Sequence, residues 1–238
     1  MSGLKDKVMI ITGAAGNLGR AVAACVQAQG ARMVLVERSV EHLKAAYGEL
    51  KGSDQHWLAG DVDMTDPKAV NAMAAEAHKR FGRLDGLVNT VGGFRGGKPV
   101  HEADLAEWDF MYDINVRTAL HACRAVIPYM LQAQRGRIVN VASRNAFQGS
   151  PNYAAYSAAK TAVLRLTESL AGELKTRGIN VNCIVPGTID TPQNREAMPK
   201  ADTARWVTPE AIADVFLFLA SPASRSITGA SIPVTGKG

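Results

Sequence analysis

Short apolar runs alternate with longer segments of helical spacing along the whole chain, and this alternation constrains the fold more than any other feature. The short runs have the length of buried strands, and the longer segments repeat apolar residues every three or four positions. The predicted strands are residues 8–11, 32–36, 56–58, 86–88, 137–141, 180–184 and 231–234. The predicted helices are residues 18–29, 40–50, 67–81, 104–134, 153–177 and 209–220. Strict alternation predicts parallel strands joined by right-handed crossovers.

The chain is therefore predicted to be an α/β protein, a single doubly wound domain over residues 1–238 with a seven-stranded parallel sheet flanked by helices on both faces. Its 238 residues are 47% apolar and 21% charged, which suffices for one substantial core. The segment of about 187–208 follows the sixth strand and is too long for a simple connection. Because ligands of such sheets bind beyond the carboxyl ends of the strands, we predict that this segment is a substrate lid.

The charges and the cysteines argue against several classes of protein. The 27 basic and 22 acidic residues give a net charge of +5, but they are interspersed, without the basic block that follows a nucleic-acid backbone. Cys25, Cys123 and Cys183 lie far apart and the five histidines are dispersed, which argues against disulfides and metal sites. The opening MSGLKDK lacks a signal peptide's apolar core, and no run reaches the roughly 18 apolar residues of a membrane span. We expect a cytoplasmic protein without metal, nucleic-acid or membrane partners.

The stretch TGAAGNLG, residues 12–19, joins the first predicted strand to the first predicted helix. Backbone N–H groups at a helix N-terminus favour an anion, so the stretch is predicted to bind a phosphate. Gly13 suits a tight exit from the strand, and Gly19 suits close packing of helix on sheet. Asn17 occupies the position at which the pattern T-G-x-x-x-G-x-G has glycine. We predict that Asn17 tolerates a positive φ there and that Gly16, one residue earlier, reduces the backbone strain of the turn. The alternative is an ordinary glycine-bearing turn.

Polar residues follow the second, third and fourth predicted strands. Glu37 lies 24 residues after Gly13, close to the distance at which a carboxylate accepts both ribose hydroxyls of a dinucleotide. Glu37 would repel the 2′-phosphate that distinguishes NADP from NAD, whereas Arg38 could attract it. Since the turn after the first predicted strand supplies no second cation, NAD is favoured over NADP. Asp61 could accept a hydrogen bond from an adenine amino group, and Asn89 could support the adenosine half of the dinucleotide. A solvated strand end and ordinary loop caps are the alternatives.

Tyr156 and Lys160 lie four residues apart in YSAAK, which places them on one helical face. Tyr47 and Lys51 have the same spacing without a polar partner in view, so the spacing alone proves little. Ser143 lies just past the fifth predicted strand, 13 residues before Tyr156. Its hydroxyl is therefore predicted to reach the same pocket as Tyr156 and Lys160.

Asn115 adds a polar group to the long amphipathic segment of 104–134, and an ordinary residue of the helix surface is the alternative. Together TGAAGNLG, Asp61, NTVG, Asn115, Ser143, YSAAK and Pro186-Gly187 resemble, in order and spacing, the short-chain dehydrogenase/reductase family over nearly the whole chain. The departures are Asn17, and Thr90-Val91 where the family usually has Asn-Ala.

The resemblance implies a Rossmann fold and hydride transfer between a nicotinamide and a carbonyl or alcohol. It implies that Tyr156 is the general acid/base, Ser143 holds the substrate oxygen, Lys160 binds the nicotinamide ribose and lowers the pKa of Tyr156, and Asn115 anchors a proton-relay water. Ile189 is expected to donate a backbone hydrogen bond to the carboxamide. The implied cofactor residues are Gly13, Gly16, Asn17, Leu18, Gly19, Glu37, Arg38, Asp61, Val62, Asn89, Tyr156, Lys160, Pro186, Gly187, Ile189 and Thr191.

The resemblance further implies a homotetramer built on the segments of 104–134 and 153–177, although both segments could simply cover the sheet. A dinucleotide-sensing protein without turnover is an alternative function, as is a scaffold built through its helices. Neither alternative needs Ser143, Tyr156 and Lys160 together, so their presence favours an enzyme.

Different parts of the chain indicate different substrates. The lid and the loop of 91–97 resemble dihydropteridine reductase, which reduces an imine, whereas the region of Ser143 and residues 226–230 resemble 3-oxoacyl-carrier-protein reductases. Arg95, Arg144 and Arg195 lie on predicted pocket-side loops, so an anionic or polar flat substrate is a hypothesis. Solvated arginines are the alternative.

Overall fold

Seven parallel strands form the central sheet, and each predicted strand lies within one of them. The computed structural model describes residues 3–237, so the outermost residues of the predicted domain, 1, 2 and 238, lie outside the described residues. The strands are β1 (Val8–Thr12), β2 (Arg32–Val36), β3 (His56–Ala59), β4 (Gly86–Asn89), β5 (Gly136–Val141), β6 (Ile179–Pro186) and β7 (Ser231–Val234). Their spatial order is β3-β2-β1-β4-β5-β6-β7, with every pair parallel. The predicted α/β fold with a seven-stranded parallel sheet is confirmed.

The strand order reverses direction between β1 and β4. The chain runs outward from β1 to β3, crosses back over the sheet and continues from β4 to β7. The connections leaving β1 and β4 therefore diverge above Thr12 and Asn89, which are paired neighbours at the carboxyl ends of the two strands. Crevices at such reversal points are where sheets of this type bind their ligands.

The described chain has eight helices, most of which cover the two faces of the sheet: α1 (Asn17–Ala28), α2 (Val40–Tyr47), α3 (Pro67–Phe81), α4 (Leu105–Tyr112), α5 (Thr118–Ala133), α6 (Ala154–Leu174), α7 (Pro192–Ala197) and α8 (Pro209–Ala220). Successive strand residues point to opposite faces. Ile10 accordingly packs in one apolar layer with α3, α5 and α6, and Ile11 packs in the other with α1 and α8. No helix within residues 3–237 is long and apolar enough to cross a membrane.

The predicted helix of 104–134 is interrupted, which the sequence pattern did not indicate. Between α4 and α5 the residues Asp113–Arg117 form a π-helical turn. The side-chain amide of Asn115 donates to the carbonyl of Met111, four residues earlier, at 3.0 Å. A side chain that inserts into the backbone ladder in this way is a recognised cause of such widened turns.

The predicted lid contains a short helix instead of being wholly irregular. Thr191 accepts a hydrogen bond from the backbone N–H of Asn194 at 3.2 Å, and Pro192 follows as the first residue of α7. A threonine cap followed by proline is a strong helix start. The segment therefore carries one rigid helical turn over the carboxyl edge of β6.

Candidate active site

At two positions of the turn after β1, neighbouring atoms approach the backbone too closely for any residue but glycine. Gly13 has a φ of +62°, and a Cβ there would lie 3.1 Å from the Val91 side chain. A Cβ on Gly19 would collide with the carbonyl of Gly13 and lie 2.8 Å from the Cα of Ala14. The backbone is thus folded tightly enough to leave the first N–H groups of α1 facing outward.

The prediction for the middle of the turn was wrong. Asn17 is the first residue of α1 and does not have a positive φ, because the helix begins at this position. Gly16 precedes it with an extended φ of −71° and does not relieve a strained turn. Leu18 points inward and packs against the apolar layer under α1.

Asn17 instead links the turn to the predicted lid. Its side-chain amide donates to the side-chain oxygen of Gln193 in α7 at 2.8 Å. The two residues are 176 positions apart, and no local sequence signal pairs them. One hydrogen bond between exposed side chains therefore connects the two segments that flank the crevice.

Tyr47 supports the turn from below, a role that the sequence did not reveal. Its hydroxyl donates to the carbonyl of Ala14 at 2.8 Å, and burial raises its pKa to about 12. Lys51 is exposed and lies beyond the end of α2, so this second tyrosine and lysine do not share a helical face. The spacing of the pair is a coincidence, as the sequence suggested.

A cation does stand at the turn, contrary to the argument from the sequence. Arg20 of α1 donates from Nε to the carbonyl of Ala15 at 2.9 Å. The predicted preference for NAD therefore depends on Glu37, which is half-buried at the end of β2 and accepts from the N–H of Arg38 at 2.9 Å. Arg38 itself is exposed.

The ends of β2 and β3 are joined above the sheet. The N–H of Val62 donates to the carbonyl of Glu37 at 3.2 Å, and the side chain of Val62 is buried in the apolar layer. Asp61 is exposed and has a φ of +57°. Glu37, Asp61 and Val62 thus lie side by side at one rim.

Asn89 lies below this rim in a row of buried polar side chains. Its amide donates to Asn140 at 2.8 Å, and the amide of Asn140 donates to the hydroxyl of Thr167 in α6 at 2.9 Å. On its other side, the Asn89 oxygen lies 3.5 Å from the hydroxyl of Thr12. We call these four residues the polar row. The contacts of Asn89 are with β1, β5 and Cys123 of α5, which is a structural role that the sequence did not indicate.

Lys160 and Asn115 meet beside the loop that follows β4. A Cβ on Gly92 would lie 3.1 Å from the Asn115 oxygen and 3.2 Å from Lys160 Nζ. Asn115 is held there by two further bonds, since it donates to the carbonyl of Gly93 at 3.0 Å and accepts from the N–H of Gly93 at 3.2 Å. Lys160 Nζ donates to the carbonyl of Val141 at 3.1 Å.

Tyr156 lies next to Lys160 on α6 and next to Ser143 at the end of β5. Burial raises the pKa of Tyr156 above its ordinary value, and the hydroxyl of Ser143 lowers it. Burial also lowers the pKa of Lys160 to about 8. The implied lowering of the Tyr156 pKa by Lys160 is not found, because Nζ is 5.9 Å from the ring centroid and bonds to Val141.

Phe94 completes the wall around Tyr156. The two rings meet edge to face with centroids 5.1 Å apart, and Phe94 meets Tyr153 in the same way at 5.0 Å. Phe94 is 54% exposed, so an apolar ring faces the crevice beside the phenol. The sequence offered only its position in a glycine-rich loop as a signal.

The segment after β6 is ordered by the lid and the C-terminal strand. Gly187 follows Pro186 and donates from its N–H to Val234 at 3.1 Å. The Ile189 carbonyl accepts from Asn194 at 2.8 Å, while its N–H has no acceptor within residues 3–237. Thr191 uses its hydroxyl to cap α7.

The three loop arginines differ in their surroundings. Arg195 makes two hydrogen bonds to Asp190, at 2.6 and 2.8 Å. Arg95 lies over the ring of Phe110, with its guanidinium carbon 3.7 Å from the centroid. Arg144 directly follows Ser143 and lines two open clefts.

Comparison with known proteins places the chain in a family. The family model for short chain dehydrogenases matches residues 7–202. A 3-oxoacyl-[acyl-carrier-protein] reductase of Thermotoga maritima is 34% identical over 98% of this chain and 98% of its own length. A D-threitol dehydrogenase of Mycolicibacterium smegmatis is 35% identical over 98% of this chain and 93% of its own length. The crystal structure of levodione reductase has a TM-score of 0.89 and 31% identity, covering 98% of this chain and 97% of that chain. These matches confirm the resemblance read from the motifs: the chain belongs to the short-chain dehydrogenase family and is an oxidoreductase.

Proposed function

We propose that the protein transfers a hydride between NAD and a carbonyl or alcohol substrate, with Tyr156 as general acid/base. The observation that carries this proposal is the convergence of Asn115, Lys160 and the Tyr156–Ser143 pair on the loop after β4. The relatives named as a reductase of 3-oxoacyl groups and a dehydrogenase of D-threitol support the same reaction type.

The turn after β1 fits the pyrophosphate of a dinucleotide. A Cβ at Gly13 would crowd Val91 and a Cβ at Gly19 would collide with the carbonyl of Gly13, so both glycines let the turn fold tightly against α1, whose N-terminal N–H groups would bind a phosphate. Glu37 supports NAD over NADP, because a half-buried carboxylate at the end of β2 would repel a 2′-phosphate. NAD supplies the hydride acceptor, and its reduced form supplies the hydride. The Ile189 N–H is available to bind the carboxamide.

Each polar side chain of the site has a separate role in the proposed reaction. In the reduction, Ser143 holds the carbonyl oxygen by a hydrogen bond and Tyr156 donates a proton to it. The raised pKa of Tyr156 keeps the phenol protonated at neutral pH, which suits a proton donor. Lys160 holds the ribose with its ammonium, and Asn115 orders a water beside Lys160 that returns a proton to Tyr156.

Exposed apolar side chains and free thiols support two further parts of the proposal. Leu105 is 79% exposed and Tyr112 is 47% exposed, seven residues apart on one face of α4, which suits contact with a second subunit. We therefore propose a homotetramer. Cys25, Cys123 and Cys183 are free thiols, which supports a reducing, cytoplasmic location.

Oxidation of NADH with a panel of carbonyls tests the function. The panel contains simple ketones, an acetoacetyl thioester and quinonoid dihydropterin, so ketone, thioester and imine reduction are compared directly, and NADPH is run in parallel. Tyr156→Phe should lower turnover by roughly 10²- to 10⁴-fold while NADH still binds. Tyr129→Phe is the matched control, since Tyr129 stacks on His78 at 4.5 Å, away from the site. Undiminished turnover in Tyr156→Phe would refute the role, and NADH binding without any turnover would favour a sensor.

A further inference from the structure

We infer that the substrate carries an anionic group, a carboxylate or a phosphate, in addition to the reacting carbonyl, and that Arg144 binds it. This inference rests on the proposed function, because it places the reacting oxygen at Ser143. It names the substrate class that the crevice would select.

The backbone places Arg144 at a fixed position relative to the reacting oxygen. Ser143 ends the connection from β5, and its hydroxyl accepts from the N–H of Asn145 at 3.3 Å. Arg144 opens the short helical turn Arg144–Ala146 that this bond caps. The guanidinium therefore extends from the residue next to the hydroxyl that holds the substrate oxygen.

Arg144 also stands where two clefts adjoin. One cleft, of about 330 Å³, is bounded by Gly187 and Thr188 of the segment after β6 and by Trp206. The other, of about 390 Å³, is bounded by Asn145 and Pro151. Both volumes lie in the range of small-ligand sites. Arg144 lines both clefts and directly follows Ser143 in the chain, so a group bound in either cleft would lie beside Arg144.

Arg144 is exposed and makes no salt bridge to a carboxylate in residues 3–237. Asp202, the acidic residue that lines the first cleft, lies 3.6 Å from Arg205. Arg195 is paired with Asp190. The clefts therefore carry one uncompensated positive charge, which a guanidinium can present to a carboxylate or phosphate through two parallel hydrogen bonds.

Kinetics on matched substrate pairs test the inference. The pairs are 4-oxopentanoate against its methyl ester, and dihydroxyacetone phosphate against dihydroxyacetone, so the carboxylate and the phosphate are separate arms. The wild type should prefer at least one anion in kcat/KM. Arg144→Met should lower kcat/KM for that anion by roughly 10- to 100-fold and leave the neutral partner unchanged, since a charge-assisted hydrogen bond is lost. Arg144→Lys should retain part of the preference.

Arg195→Met is the matched control because it also removes one positive charge from a neighbouring loop. If it lowers the anion preference as much as Arg144→Met does, the effect is general electrostatics and the inference is overturned. A wild type without anion preference, or an unchanged ratio in Arg144→Met, also overturns it, while turnover of the neutral partners would leave the proposed function standing. Calorimetric titration of both anions into the protein with NADH gives the same comparison without turnover.

Discussion

Replacing Lys160 by methionine should make the fold more stable at neutral pH while removing activity. Burial lowers the pKa of Lys160 from 10.5 to about 8. Each pKa unit corresponds to about 1.36 kcal/mol, so the buried ammonium destabilises the folded state at pH 7 by about 3 kcal/mol. Losing the hydrogen bond to the carbonyl of Val141 offsets about 1 kcal/mol of the gain. The expected net stabilisation of Lys160→Met is about 2 kcal/mol.

The pH dependence identifies the cause of this stabilisation. Below pH 8 Lys160 is protonated in both the folded and unfolded chain, so the cost of burying its charge is fully present. Above pH 8 the folded protein releases the proton while the unfolded chain keeps it up to about pH 10.4, so the wild type gains stability as the pH rises. The stability difference between the variant and the wild type should therefore shrink by about 2 kcal/mol between pH 7 and pH 9.5.

Urea unfolding of both proteins at the two pH values, at one protein concentration and without dinucleotide, measures this difference. Lys51→Met is the control, because Lys51 is exposed and follows a tyrosine by the same four residues. It should change stability by no more than about 0.5 kcal/mol at either pH. A Lys160→Met variant that is less stable than the wild type at pH 7, or a difference that does not depend on pH, would refute the reasoning.

Two further predictions concern the turn after β1. Gly19→Ala forces a Cβ onto the Gly13 carbonyl and should lower the free energy of unfolding by about 1–3 kcal/mol and weaken NADH binding. Gly16→Ala should change both much less, because its Cβ would lie 3.3 Å from that carbonyl; equal effects in thermal unfolding and NADH titration would contradict the packing argument. Asn17→Gly and Gln193→Ala should each speed NADH release in stopped-flow by roughly 2- to 10-fold, since each removes the same hydrogen bond. The double variant should release no faster than either one; additive effects would show that the two side chains act separately.

The strands and their parallel order followed from the sequence because the central strands β1, β4 and β6 are buried on both faces and read as apolar runs. The edge strands β3 and β7 are only partly buried, and their places followed from the alternation with helices. The motif residues followed because each stands at the end of a strand or on one helical face. The burial of the site could not be predicted in the same way. The spacing of Tyr156 and Lys160 indicates that they are close together, but it does not indicate how deeply both side chains are buried. The lowered pKa of the lysine and the raised pKa of the tyrosine therefore required the structure.

Several features that the sequence missed depend on distant contacts. Tyr47 reaches a carbonyl 33 residues away, and Asn17 reaches Gln193 across 176 residues. The π-helical turn forms around Asn115, whose amide is also bound to Gly93 on the loop after β4. Local spacing shows which residues share a face, but it does not show which side chain of another element they will meet.

The polar row has a consequence for how the sheet assembles. The strands around it are apolar on both faces, so a pairing shifted by one residue would bury nearly as much apolar surface as the native pairing. Such a shift would turn Asn89 or Asn140 to the opposite face and leave buried amides without partners, at about 1–3 kcal/mol for each group. The hydrogen bonds of the polar row therefore favour the native strand register over shifted pairings that would bury a similar apolar surface.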